Sequence, residues 1–202
     1  YEALDIHYLV NVQAEKEGLR VTVNLDRPIP FQWAGKVGFN LELFPPTYFG
    51  KTWRMDGSSG FFPRQANSST KISTSDSRMP LPITSGMEFV AAPEDPLCAL
   101  RIKSERSEIE LHDGRITDNN GWFVLHSLIP SGVSHNAVEW IITPRVNKSW
   151  RMAPRILHSQ VGYHPEQDKK AVIELDPRQK KRRKATLVRL FDDGSSKTAY
   201  SA

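Results

Sequence analysis

Short segments in which apolar and polar residues alternate recur along most of the chain. A period of two sends successive side chains to opposite faces, which suits a half-buried β-strand and no helix. Eight segments read this way: Ile6 to Val12, Leu19 to Leu25, Val37 to Leu43, Leu97 to Lys103, Trp122 to Leu128, Ala137 to Thr143, Lys170 to Leu175 and Thr186 to Phe191. Turn formers separate them, among them Glu17-Gly18, Asp26-Arg27-Pro28, Asp113-Gly114, Asn119-Asn120-Gly121, Ser131-Gly132 and Asp193-Gly194. No helix of twelve or more residues emerges, and the 14 prolines would break many candidates. The pattern predicts an all-β chain of sandwich type.

From Tyr48 to Pro82 the alternation gives way to an irregular stretch, aromatic at its start and rich in Ser and Thr from Asn67 to Ser77. The Ser/Thr part reads as mobile and the aromatic part as packed. A boundary falls near Trp150 to Pro154, giving residues 1–150 as one sandwich and 151–202 as the start of a second domain. No apolar run approaches the roughly 20 residues that a membrane helix needs. The single cysteine, Cys98, excludes an internal disulfide and reads as a buried, inert thiol. The net charge of +4 has one source, since six of the seven residues from Arg178 to Lys184 are basic. Without them 21 Lys and Arg face 23 Asp and Glu, so the run reads as a solvated hairpin loop rather than a nucleic-acid patch.

Arg155-Ile-Leu-His-Ser-Gln160-Val161-Gly162-Tyr163-His-Pro165, followed by Lys169-Lys-Ala-Val-Ile173, resembles the opening of the immunoglobulin-like module that precedes the catalytic barrel in glycoside hydrolase family 9. The strand from Ala185 to Phe191 and the turn Asp192-Asp193-Gly194 fit the same module. Upstream, Gly38 to Pro45, Phe49 to Trp53 and Phe62 to Gln65 resemble an N-terminal extension on some family 9 enzymes of gut and rumen Bacteroidetes. The resemblance implies a β-sandwich followed by a partial immunoglobulin-like sandwich, with Val161 and Tyr163 on the latter's first strand. It further implies a secreted, periplasmic or cell-surface bacterial protein of cellulase type. Its catalytic domain, the natural partner of these modules, would lie beyond Ala202. No catalytic residue is therefore carried over, and this fragment is expected not to hydrolyse glycosides.

The residues themselves offer little independent chemistry. Asp56, Glu42, Glu88, Glu139 and Asp113 sit in ordinary turn or strand contexts, so structural roles are expected for them rather than the paired carboxylates of glycoside hydrolysis. The six histidines show no metal-ligand spacing, and Asp118-Asn119-Asn120-Gly121 reads as a hairpin turn rather than a calcium loop. No metal and no cofactor is expected. Trp33, Tyr48, Phe49 and Trp53, with Arg54 and Asp56, form the candidate carbohydrate site, because sugar rings stack on aromatic faces while polar groups orient their hydroxyls. Asn40, Lys51 and Arg64 would add hydrogen bonds. Two readings stay open: an accessory module binding β-glucan or xylan, or a scaffold whose aromatics fill a core and which binds no sugar. Exposure of Trp33 and Trp53 separates them.

Overall fold

The computed structural model describes residues 5–66, 70–72, 78–117, 121–179 and 184–201, and divides into two compact units, Tyr1–Asn147 and Lys148–Ala202. The chain is all-β. The first unit carries strands β1 (Tyr8–Glu15), β2 (Gly18–Leu25), β3 (Gly38–Leu43), β4 (Thr52–Met55), β5 (Ser58–Phe61), β6 (Thr70–Ile72), β7 (Arg78–Pro80), β8 (Thr84–Gly86), β9 (Glu88–Ala91), β10 (Leu100–Ser104), β11 (Ile109–Asp113), β12 (Phe123–Leu128) and β13 (Val138–Pro144). Its one α-helix among the described residues, α1 (Pro45–Tyr48), is a single turn opened by two prolines whose fixed φ suits a first turn. No helix among the described residues is long and apolar enough to cross a membrane.

Two antiparallel sheets make the sandwich. One has seven strands in the order β1-β2-β13-β10-β9-β4-β5, the other four in the order β3-β12-β11-β8, and β6 pairs with β7 as a separate two-stranded sheet. Alternation explains which face is buried: Ile109, Leu111 and Asp113 of β11 and Phe123, Leu125 and Ser127 of β12 point inward, while Glu110, His112 and His126 point out. Trp140 of β13 centres the core. Its ring meets Phe39 of β3 edge-on at 5.1 Å, and its indole N–H donates to Ser127 Oγ (3.1 Å), which donates to the Glu108 carbonyl (2.8 Å). Strand β3 therefore lies over β13, and β1 extends past the edge of the smaller sheet.

The stretch from Tyr48 to Pro82, read from sequence as irregular, holds β4 to β7. Its strands are three or four residues long, too short to show a period of two. Much of the Ser/Thr-rich part lies outside the described residues, as do Asp118-Asn119-Asn120 and the centre of the basic run, residues 180–183. Cys98 sits in a turn, where the Asp95 carboxylate accepts the Leu97 N–H at 2.9 Å, and the strand begins only at Leu100.

The second unit contains two hairpins, β14 (Arg155–Leu157) with β15 (Val172–Glu174) and β16 (Thr186–Leu190) with β17 (Ser196–Ser201). The expected first strand through Val161 and Tyr163 is corrected: the strand is Arg155–Leu157, Gln160 and Val161 form a turn, and Gly162 and Tyr163 lie in no strand. Gly162 there has φ +85°, a conformation that the Cβ of other residues penalises, and Val161 is 99% exposed. Among the described residues of this unit only Asp176 is buried. Its carboxylate accepts the N–H groups of Met152 and Arg178 and the Arg178 guanidinium, which holds it far below the ordinary carboxylate range.

Candidate functional site

The six residues singled out in the sequence do not meet on one surface. Tyr48 and Trp53 are core residues, 8% and 7% exposed. Tyr48 packs on Phe62 at 5.2 Å and donates its hydroxyl to the Cys98 carbonyl (3.3 Å). Trp53 lies over its cross-strand partner Gly60, where a Cβ would come within 2.4 Å of the indole ring. Arg54 follows Trp53 on β4, so it projects to the opposite, exposed face.

Asp56 occupies the β4–β5 turn with φ +48°, a left-handed conformation that Asp tolerates better than most residues. Its carboxylate accepts the N–H groups of Met87 and Glu88, both at 2.9 Å, and so clasps the turn to the start of β9. Phe49 is half-buried beneath the Arg115 guanidinium, which lies 5.0 Å from its ring and 4.7 Å from that of Phe123. The same guanidinium grips the fully buried Asp113 carboxylate through Nε (2.8 Å) and a terminal nitrogen (2.7 Å), and donates to the carbonyls of Pro63 and Arg64, each at 2.8 Å. Phe49 and the backbone of Arg64 thus belong to a structural clamp.

Of the six, Trp33 is the one that lines a cleft. It stands, partly buried, in a 3-10 turn (Phe31–Trp33) just before β3, and the cleft measures about 620 Å³. Tyr8, Val10, Val23 and Leu25 contribute from the inner face of β1 and β2, with Val37, Phe39 and Asn40 from around β3. The cleft exists because the smaller sheet ends at β3 while the larger one continues to β1. Its polar groups are few. Lys36 Nζ sits 5.7 Å from the Trp33 ring centroid, and His126 Nδ1 hydrogen-bonds Asn40 Oδ1 at 2.5 Å. Burial holds the His126 imidazole below its usual pKa, the nearby His112 adds to that, and Glu110 opposes it. Sequence reasoning noted Asn40 and Trp33 but missed Tyr8 and His126, which sit in regular alternation and carry no mark of their own.

Several other titratable groups have partners of their own. Lys51 Nζ binds Asp95 at 2.7 Å and Cys98 Sγ at 3.1 Å, which holds Asp95 down to about 2, while burial pushes the Cys98 thiol up. Glu88 pairs with Arg101 at 2.8 Å, Glu139 with Arg20 and, at 3.9 Å, with Arg106, and Glu42 is exposed. Among the described residues no three His, Cys, Asp or Glu side chains gather as a metal site. No family model, no curated protein and no solved structure matches the chain.

Proposed function

We propose that the chain is a non-catalytic accessory region of a secreted, family 9-type glycoside hydrolase, acting as an interaction scaffold. The observation that carries the scaffold reading is where the apolar surface lies. The first unit places Tyr48 and Trp53 inside, whereas the second leaves Ile156, Leu157, Val172, Leu187 and Leu190 exposed on its hairpins. Apolar strand faces without a core of their own call for cover by protein rather than by a sugar. The enzyme context rests on the motif from Arg155 to Pro165 and the Lys169 to Ile173 segment. Hydrogen exchange tests the scaffold: adding the parent enzyme's catalytic domain is expected to protect the amides of β14, β15 and β16. Unchanged exchange at saturating catalytic domain would refute it.

A second reading keeps the sugar and moves its site. The Trp33 cleft combines aromatic side chains with Lys36, Asn40 and His126, so a β-glucan or xylan chain would stack on Trp33. Calorimetric titration with soluble β-glucan and xylan oligosaccharides decides. Binding that is lost in Trp33→Ala and kept in Trp53→Phe supports it, and no heat with wild-type protein removes it.

A further inference from the structure

The two ends of the seven-stranded sheet are built differently. At one end β5 has four residues, Ser-Ser-Gly-Phe. At the other, β1 has eight, and Tyr8 to Ala14 carry no charge and no proline. The ladder from β1 to β2 runs unbroken from Tyr8↔Leu25 to Glu15↔Gly18, with no bulge to twist the edge away. Among the described residues β1 is paired with β2 alone, so its outer N–H and C=O groups form a straight row facing no strand. Charges, prolines, bulges and shortness are the usual protections of such an edge, and within Tyr8–Ala14 β1 has none of them. Its side chains are equally open: Tyr8, Leu9 and Val12 are 67%, 60% and 58% exposed.

We propose that β1 pairs antiparallel with β1 of a second copy across a two-fold axis at Asn11, joining two seven-stranded sheets into one. A row of backbone donors and acceptors selects a peptide strand as its occupant, and an antiparallel pair about a two-fold axis is self-complementary. The side chains choose the register. Centred on Asn11, the inner face sets Tyr8 opposite Ala14 and Val10 opposite Val12, and the outer face sets Leu9 opposite Gln13. At each end His7 of one copy, bonded to Asp26, meets Glu15 of the other, bonded to Arg20, so the two ion pairs join end to end. A shift of one residue would turn the inner row outward. A shift of two sets either His7 against Gln13 or Leu9 against Glu15, and loses this match. The joined sheets would also merge the two Trp33 clefts along a shared apolar floor of Tyr8 and Val10. The short β5 edges stay outermost, so the assembly closes at two copies.

Sedimentation of the full chain from about 1 to about 500 μM, a span that covers micromolar to submillimolar dissociation constants, tests the proposal. Wild-type mass is expected to double with concentration, and Leu9→Lys/Val12→Lys to stay monomeric with an unchanged circular dichroism spectrum. A wild-type chain monomeric throughout, or a lysine variant that still dimerises, would overturn it. Disulfide trapping in a Cys98→Ser background tests the register independently of folding. Asn11→Cys should cross-link two copies under mild oxidation and Leu9→Cys should not, whereas equal cross-linking by both would refute the axis at Asn11.

Discussion

Replacing Arg115 with methionine tests whether the clamp over Phe49 and Phe123 organises the first unit. Methionine keeps apolar contact with both rings but removes every donor. The Asp113 carboxylate, fully buried, then loses the guanidinium that meets both its oxygens, and the carbonyls of Pro63 and Arg64 lose theirs. Stripping one partner from a buried ion pair costs about 3–5 kcal/mol, and the cation–π contacts add about 1 kcal/mol. With a urea slope of about 2 kcal/mol/M for a unit of this size, the midpoint should fall by about 2 M. Tryptophan fluorescence reports the transition, because Trp140 and Trp53 lie in the same core. The double variant Asp113→Asn/Arg115→Met should recover part of the loss, since the uncompensated charge has gone. A fall of less than about 0.5 M in the single variant, or no recovery in the double, would show that the clamp is peripheral to stability.

Three further outcomes are expected. Trp53→Phe should stay within about 1 kcal/mol of wild type in urea, because the buried indole N–H has no hydrogen-bond partner to lose, whereas Trp53→Ala should cost about 3–5 kcal/mol. The Lys51–Asp95 pair should stabilise fully above the ordinary carboxylate pKa of 3.8 and fade as pH falls through about 2, so urea midpoints of wild type and Asp95→Asn should converge over that window. The folded state lowers the His126 pKa, so it holds fewer protons there than the unfolded chain does. Stability should therefore be complete above the ordinary value of 6.5 and decline as pH falls through and below it, a decline reduced in His126→Gln.

Alternation made the strands of the larger elements legible, and β2, β3, β12 and β13 lie where the sequence puts them. The short strands β4, β5, β8 and β9 were not legible, because three or four residues carry too little period and owe their pairing to neighbours distant in sequence. The candidate site was legible only at Trp33. Tyr48, Phe49 and Trp53 look alike in sequence as an aromatic cluster, yet Tyr48 and Trp53 face the core. The cause lies outside the cluster: Phe62 waits under Tyr48, Gly60 makes room for the Trp53 ring, and Arg115 covers Phe49 from a segment some 66 residues away.

The same limit explains β1. Its alternation matches that of β2, and Val10 and Val12 stand directly opposite Val23 and Val21. Yet Val21 and Val23 are buried while Tyr8 and Val12 are exposed. Pattern fixes which side chains share a face, but whether that face is covered depends on how many strands the opposite sheet supplies. Here the opposite sheet stops at β3, leaving an apolar row and the Trp33 cleft beside the unpaired strand edge. The open apolar row and the cleft follow from one mismatch of sheet widths, while the edge is open because, among the described residues, β1 ends its sheet. A charge introduced on β1 is therefore expected to cost little in folding stability, because Val12 already meets solvent, while the same charge at Val21 should cost several-fold more. Urea midpoints of Val12→Lys and Val21→Lys, taken at a concentration where the wild-type chain is monomeric, compare the two directly, and equal losses there would show that Val12 is as covered as Val21 within a single copy.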